Sequence, residues 1–152
     1  MNRMPDERPV LDQINLVVRD MDTMVAFYAQ LGVEVAPTPS PWGEWDRHHR
    51  TLSTGDGVDF DLDSTEFAGQ WNTGWPPGRT GPVIGFRLAS RAAVDAKYLE
   101  LTAAGHAGQQ SPVDAFWGAR YAVITDPEGN AVGLMSPVDP AFRSDPPALP
   151  SV

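Results

Sequence analysis

Polar and ionisable side chains alternate along two short segments of the chain and suit ligand binding or proton transfer. Gln13 and Asn15 are two positions apart, as are Asp59 and Asp61, and His49 lies between the two segments. In a β-strand every second side chain points to the same face, so each pair shares a face. Carboxyl and amide oxygens bind cations and polar groups, and histidine titrates near neutral pH. Asp61 and His49 are therefore candidates for a general base, although the sequence assigns no catalytic residue.

Hydrophobic periodicity predicts the elements that carry these side chains. The first half is predicted as a strand, a helix and three strands, over residues 10–18, 20–32, 33–36, 48–54 and 58–63. The second half repeats this order over residues 83–88, 90–105, 106–110, 119–125 and 130–136. Asp20 and Ser90 are predicted helix N-caps, and Gly32 and Gly105 are predicted helix ends. Each half is thus a β-α-β-β-β unit.

The sequence also contains an internal repeat. Trp45, Leu52 and Gly57 are matched 72 positions later by Trp117, Ile124 and Gly129, listed in the same order. Such a repeat predicts two copies of one unit around a shared core. The fold class is therefore α+β, with two paired βαβββ modules forming curled mixed sheets around a cavity. The predicted divisions are a tail, a first module, a linker, a second module and a proline-rich tail, at 1–9, 10–63, 64–82, 83–137 and 138–152.

Strand alternation divides the predicted cavity wall into two sides. The polar and acidic side comprises Gln13, Asn15, His49, Asp59 and Asp61. The opposite side is small and apolar apart from Arg87, and comprises Val83, Gly85, Ala131, Gly133 and Met135. Thr51, Tyr121 and Val123 are also expected to point inward. This pattern suits a pocket that orients one polar end of a ligand and encloses the rest.

Composition limits the classes of partner. The net charge of -9 argues against nucleic acid or an anionic membrane as a partner. The chain has no cysteine, which excludes disulfides, thiolate metal ligands and a thiol nucleophile. No leader-like or membrane-spanning apolar run is present, so we expect a cytoplasmic protein. Exposed sheet edges and apolar linker aromatics favour a homodimer.

Four of the five tryptophans are predicted in loops of the first half and the linker, namely Trp42, Trp45, Trp71 and Trp75. Two interpretations remain open. They could close the core and a dimer interface, or they could form an aromatic rim over the cavity for a planar or cationic ligand, with Trp71 and Trp75 as ligand contacts. Trp45 and Trp117 match in the repeat and are expected to be structural.

Three motifs together resemble the vicinal oxygen chelate superfamily. They are Val17-Val18-Arg19-Asp20, Phe27-Tyr28 in the first helix, and Trp117-Gly118-Ala119-Arg120 followed by Asp126-Pro127-Glu128-Gly129-Asn130. That superfamily includes glyoxalase I, bleomycin-resistance proteins, fosfomycin-resistance thiol transferases and extradiol dioxygenases. The resemblance covers roughly residues 10–137. It implies paired modules whose sheets curl around a central cavity, and it is not specific for one reaction.

In metal-dependent members of this superfamily, four inward positions hold His or Gln, Glu, His and Glu. The resemblance places these positions at Gln13, Asp61, Val83 and Gly133. Val83 and Gly133 have no side-chain donor, and a catalytic ion needs about three protein ligands. We therefore expect no bound metal or other cofactor, unless His49 is recruited as a ligand.

The leading hypothesis is metal-independent binding of a small organic ligand, as in bleomycin-resistance proteins. The alternative is a divalent-metal-dependent lyase, isomerase or dioxygenase that uses Gln13, Asp61 and His49. A metal-free enzyme with Asp61 or His49 as the general base is a third option. A purely structural role is also open for Asp61, through an ion pair with Arg87 or Arg50.

Overall fold

A computed structural model describes residues 8–36, 45–53 and 57–148. In this part of the chain, eight strands and three α-helices follow one another. They are β1 Val10–Val18, α1 Met21–Leu31, β2 Glu34–Val35, β3 His49–Ser53, β4 Asp59–Ser64, α2 Thr65–Trp71, β5 Gly81–Arg87, α3 Arg91–Ala103, β6 Gly108–Asp114, β7 Arg120–Thr125 and β8 Ala131–Met135. None of these helices is long and apolar enough to cross a membrane.

All eight strands form one curled, mixed sheet in the order β2-β3-β4-β1-β5-β8-β7-β6. β1 and β5, the first strands of the two modules, pair antiparallel and join the two halves. Each is also parallel to the last strand of its own module, β1 to β4 and β5 to β8. The predicted α+β class and the paired modules are therefore confirmed.

The ends of the helices follow from local hydrogen bonding. The Asp20 side chain accepts the N–H of Thr23 at the start of α1, and the Ser90 hydroxyl accepts the N–H of Ala93 at the start of α3. These contacts satisfy backbone donors that have no partner within the helix. Gly32 ends α1 with a φ of 108°, a conformation that glycine adopts without steric cost. The predicted caps and the end of the first helix are confirmed.

Strand alternation sorts the apolar side chains between the two faces of the sheet. Val18, Leu52 and Leu62 pack with α1 on the outer face of the first module, and Leu88, Ala122 and Leu134 pack with α3 on that of the second. A third cluster lies on the inner, concave face. Its buried members include Val17, Trp45, Phe67, Trp71, Val83, Tyr121 and Val123. The predicted assignment of alternate residues to the two faces agrees with these clusters.

The segment between the modules contains a helix, α2, that glycine and proline content did not predict. The Ser64 hydroxyl caps it by accepting the N–H of Phe67. Phe67, Ala68 and Trp71 lie three and four residues apart and are all buried, which is the spacing of a helical apolar face. Trp71 therefore lies in a helix and not in a loop. The sixth strand also differs from expectation, because β6 extends to Asp114 where a loop was expected.

The chain after β8 lies across the turn between β6 and β7. The N–H of Asp139 donates to the Gly118 carbonyl at 3.0 Å, and the N–H of Ser144 donates to the Phe116 carbonyl at 3.0 Å. The Arg91 guanidinium lies 3.8 Å from the centre of the Phe142 ring. These contacts bind residues 138–144 to the second module and place Val138 on the cavity wall.

We predict that Gly118→Ala destabilises the fold more than Gly105→Ala. Both glycines have positive φ, 102° and 99°, so alanine costs about 1–2 kcal/mol at either position. A Cβ at Gly118 would also lie 2.7 Å from the Asp139 carbonyl oxygen, whereas one at Gly105 meets open space. Overpacking adds roughly 1–3 kcal/mol at Gly118. Urea unfolding of the two variants measures the difference, and equal losses would contradict the close packing against Asp139.

Candidate functional site

The concave face of the sheet lines a half-open cavity of about 270 Å³ within one chain. One wall comes from the first module and is polar. It comprises Gln13, Asn15, His49, Thr51, Asp59, Asp61 and Asp63. The other wall is aromatic and apolar. It comprises Phe67, Trp71, Phe116, Trp117, Tyr121, Met135 and Val138. The cavity therefore presents hydrogen-bonding groups on one side and π-faces on the other.

The polar wall is built by the parallel pairing of β1 with β4. The register places Asn15 beside Asp61 and Val17 beside Asp63. Two amide groups on β1 bind carboxyl groups on β4. Gln13 Nε2 donates to Asp61 Oδ2 at 2.9 Å, and Asn15 Nδ2 donates to Asp63 Oδ2 at 2.8 Å. Carboxylates that alternate along one strand are thus held by the neighbouring strand.

His49 forms a buried ion pair with Asp63. Its Nδ1 lies 2.5 Å from Asp63 Oδ1, and the two side chains are 13% and 1% exposed. Burial by itself would lower the pKa of His49. The charge and hydrogen bond of Asp63, with the charge of Asp61, outweigh burial and raise the pKa of His49 to about 9. His49 is therefore protonated at neutral pH and neutralises Asp63.

Among the described residues, Asp61 forms no ion pair of this kind. Burial raises the pKa of its carboxyl, and the charge of Asp63 raises it further. The charge of His49 and hydrogen bonds from Gln13 and Thr51 oppose this shift without cancelling it. The ion pair considered from the sequence is not formed with Arg87, which instead binds Asp12 at 3.1 Å. Neutral donors are the groups that hydrogen-bond Asp61.

The aromatic wall is assembled around Tyr121 on β7. The rings of Trp71 and Trp117 meet the Tyr121 ring edge to face, with centroids 6.0 and 5.4 Å away. Trp117 Nε1 points to the Met135 sulfur at 3.3 Å. Trp71 Nε1 is buried and has no hydrogen-bond partner among the residues that the structure describes.

The residues present do not fit the metal site that the family resemblance implies. Val83 is 1% exposed, lies in the inner core cluster and has no donor atom. A Cβ on Gly133 would lie 3.0 Å from the Tyr121 hydroxyl, so the tyrosine occupies the space that a longer side chain would need. Among the residues described, no group of three or more His, Cys, Asp or Glu could hold a metal ion.

Seven of the nine predicted ligand contacts line the cavity, namely Gln13, Asn15, His49, Asp59, Asp61, Trp71 and Tyr121. The other two are not among the described lining residues. Arg87 is bound to Asp12, and Trp75 is buried with its Nε1 donating to the Arg79 carbonyl at 2.9 Å. Trp42 lies outside the described residues. Four further residues line the cavity although the sequence did not predict them there, namely Phe67, Phe116, Val138 and Trp117, which was expected to be structural. The 64–71 segment carried a signal for Phe67, a capping serine three residues before an apolar helical face.

Family comparison agrees with this architecture. The sequence model of the Glyoxalase/Bleomycin resistance protein/Dioxygenase superfamily matches residues 10–134. The chain therefore belongs to that superfamily, and the resemblance noted from its motifs is confirmed. No curated protein sequence matches the chain.

Solved structures share the fold at low sequence identity. An NAD-dependent benzaldehyde dehydrogenase from Legionella pneumophila aligns with a TM-score of 0.57 and 14% identity, over 82% of this chain and 96% of that one. A Mn(II)-bound glyoxalase from Novosphingobium aromaticivorans aligns with a TM-score of 0.57 and 19% identity, over 84% of this chain and only 38% of that one. The 2,3-dioxygenase LapB from Pseudomonas sp. KL28 aligns with a TM-score of 0.56 and 14% identity, over 85% and 42%. At these identities the likeness shows the fold alone.

We predict that His49 makes stability depend on pH above neutrality. Its pKa is about 9 in the folded state against an ordinary 6.5, so its stabilising contribution is complete below pH 6.5 and is lost as the pH rises through 9. The shift corresponds to roughly 3 kcal/mol. The stability difference between the wild type and His49→Gln should shrink by that amount from pH 6 to pH 10, measured by denaturant unfolding.

His48→Gln is the matched control for this measurement. Burial lowers the pKa of His48, whose ring hydrogen-bonds the Ser64 hydroxyl at 2.8 Å. A lowered histidine pKa makes the fold gain stability as the pH rises toward 6.5 and has no effect above it. The difference between the wild type and His48→Gln should therefore be constant above about pH 7. A constant difference for His49→Gln as well would contradict the ion pair.

Proposed function

We propose that this protein binds a small organic molecule in the central cavity without a metal ion, as bleomycin-resistance proteins do. The observation that carries the proposal is the replacement of the implied metal site. Tyr121 fills the space above Gly133, and the same ring forms the centre of an aromatic wall. The second module therefore offers a surface for an apolar ligand in the place where a ligand to a metal would lie.

The dimensions and preorganisation of the cavity support binding. Ligand pockets enclose roughly 300–1,000 Å³ and combine apolar walls with a few fixed polar groups. A cavity of about 270 Å³ lies just below that range, so it suits a small ligand. Gln13 and Asn15 are already fixed by Asp61 and Asp63, so ordering these side chains adds little entropic cost on binding.

Metal-free proton transfer is the second candidate, and one observation favours it. Asp61 is a buried carboxyl with a raised pKa in a cavity, which is typical of acid–base groups. His49 is a poor general base at neutral pH, because its pKa of about 9 keeps it protonated. Conversion of a bound ligand, followed by NMR and lost in Asp61→Asn, would favour catalysis over simple binding.

We predict that metal-stripped protein binds no divalent ion with micromolar affinity or better, about -8 kcal/mol. Calorimetric titration with nickel, zinc, manganese and ferrous iron measures this, with Gln13→Ala and Asp61→Ala as controls. Stoichiometric binding that both substitutions abolish would overturn the proposal and favour the divalent-metal-dependent lyase, isomerase or dioxygenase.

We also predict that a bound aromatic ligand changes tryptophan fluorescence in the presence of a chelator. Trp71 and Trp117 lie on the cavity wall, so ligand binding alters their surroundings. Trp71→Phe should reduce the change, whereas Trp75→Phe should preserve it, because Trp75 is buried against Arg79 instead. Equal reductions in the two variants would indicate a ligand site elsewhere.

The proposal includes a homodimer. Among the described strands, β2 and β6 are the two edges of the sheet, and Leu31 on α1 is 67% exposed. Unpaired edges and apolar helix surface favour association with a second copy. Light scattering during size-exclusion chromatography measures the mass in solution.

A further inference from the structure

We propose that the ligand is a small organic cation, with its ammonium group against Asp61 and its apolar body between the aromatic side chains. This inference rests on the proposed function and adds the chemical class of the ligand. It depends on two features of the cavity: an excess of carboxyl groups on one wall and aromatic rings on the other.

The carboxyl groups of the cavity outnumber its bases. Among the described lining residues, Asp59, Asp61 and Asp63 face one base, His49. His49 is committed to Asp63 by the 2.5 Å contact. The nearby Arg87 is bound to Asp12 at the end of the sheet. The wall therefore has a net negative charge that no described side chain fully matches.

Asp61 is the side chain beside which a bound cation would be stabilised most. Its side chain is almost fully buried at 8% exposure, yet its hydrogen bonds come from the neutral groups of Gln13 and Thr51. A buried carboxylate whose hydrogen bonds come from neutral groups is poorly solvated. An ammonium group would supply both a compensating charge and a charge-assisted hydrogen bond.

The opposite wall suits the rest of such a ligand. Trp71, Trp117 and Tyr121 meet edge to face and expose aromatic surface to the cavity. Aromatic faces attract cations and pack well against flat apolar groups.

The titratable groups that line the cavity determine how the affinity for a cation should change with pH. Asp59, Asp63, His49 and Tyr121 line the cavity with Asp61, and the Asp12–Arg87 pair lies beside Asp59. Protonation of Asp61 at low pH removes the charge that the cation needs, and burial raises the pKa at which this occurs. Deprotonation of His49 above its pKa of about 9 makes the cavity more negative. Affinity for the charged form of the ligand should therefore rise with pH, up to the pH at which the ammonium group itself loses its proton.

Three matched probes test the inference by calorimetry on metal-stripped protein. They are 2-(4-methoxyphenyl)ethylammonium, its neutral alcohol 2-(4-methoxyphenyl)ethanol, and the anion 3-(4-methoxyphenyl)propanoate. We expect the ammonium ion to bind most tightly. Asp61→Asn keeps the size and polarity of the side chain, and should weaken binding of the ammonium ion by about tenfold or more. The same substitution should change binding of the alcohol by less than about threefold.

Asp22→Asn is the matched control, because it removes one negative charge on the exposed face of α1. It should change affinity for the ammonium ion by less than about twofold, since exposed charges are screened. Near-UV circular dichroism verifies that Asp61→Asn keeps its fold. Equal or tighter binding of the alcohol or the anion would overturn the cation and leave the proposed function standing. Absence of ammonium binding, or an equal loss of affinity for the ammonium ion in Asp61→Asn and Asp22→Asn, would also overturn the proposal of a cationic ligand. Failure of the proposed function itself would appear separately, as stoichiometric metal binding.

Discussion

The antiparallel pairing of β1 with β5 is the contact on which the whole architecture depends. It joins two short sheets into one curled sheet and places the first strand of each module at its centre. Gln13 lies opposite Gly85, where a Cβ would come within 3.1 Å of the Gln13 Cβ. Glycine thus gives Gln13 room at the centre of the sheet, from which its amide reaches Asp61. The pairing of β1 with β5 therefore also determines the geometry of the polar wall.

Much of this arrangement could be predicted from the sequence, because alternation along a strand has a fixed period of two. That rule placed Gln13, Asn15 and Asp61 on the concave face before any tertiary contact was known. It could not place Phe116 or Val138, because a turn and an extended segment have no such period. The contacts that fix them, Ser144 to Phe116 and Asp139 to Gly118, join residues far apart in the chain. Helix α2 was missed because nearby glycines and prolines masked a short apolar pattern.

The contacts between individual side chains of the cavity wall also could not be predicted from the sequence. Arg87 and Asp61 point to the same side by alternation, yet Arg87 binds Asp12, next to an irregularity in the register between Leu11 and Gln13. A bulge shifts which side chains meet and cannot be deduced from periodicity. Likewise, the sequence shows that Gly133 has no side-chain metal ligand, but only the structure shows that the Tyr121 ring lies where such a side chain would be. A Cβ at Gly133 would lie 3.0 Å from the Tyr121 hydroxyl, so the residue that offers no metal ligand also gives the tyrosine of the aromatic wall its room.

The chemistry of the cavity depends on which of the neighbouring carboxyl groups forms an ion pair with His49. Asp63 is 1% exposed and accepts hydrogen bonds from both His49 and Asn15, so its charge is compensated inside the fold. Replacing His49 by an apolar residue would leave a buried charge unpaired, which is strongly destabilising. The same pairing leaves Asp61 with neutral donors and a cavity in front of it. The ion pair therefore stabilises the wall and leaves the neighbouring carboxyl group of Asp61 facing the cavity without an ion pair among the described residues.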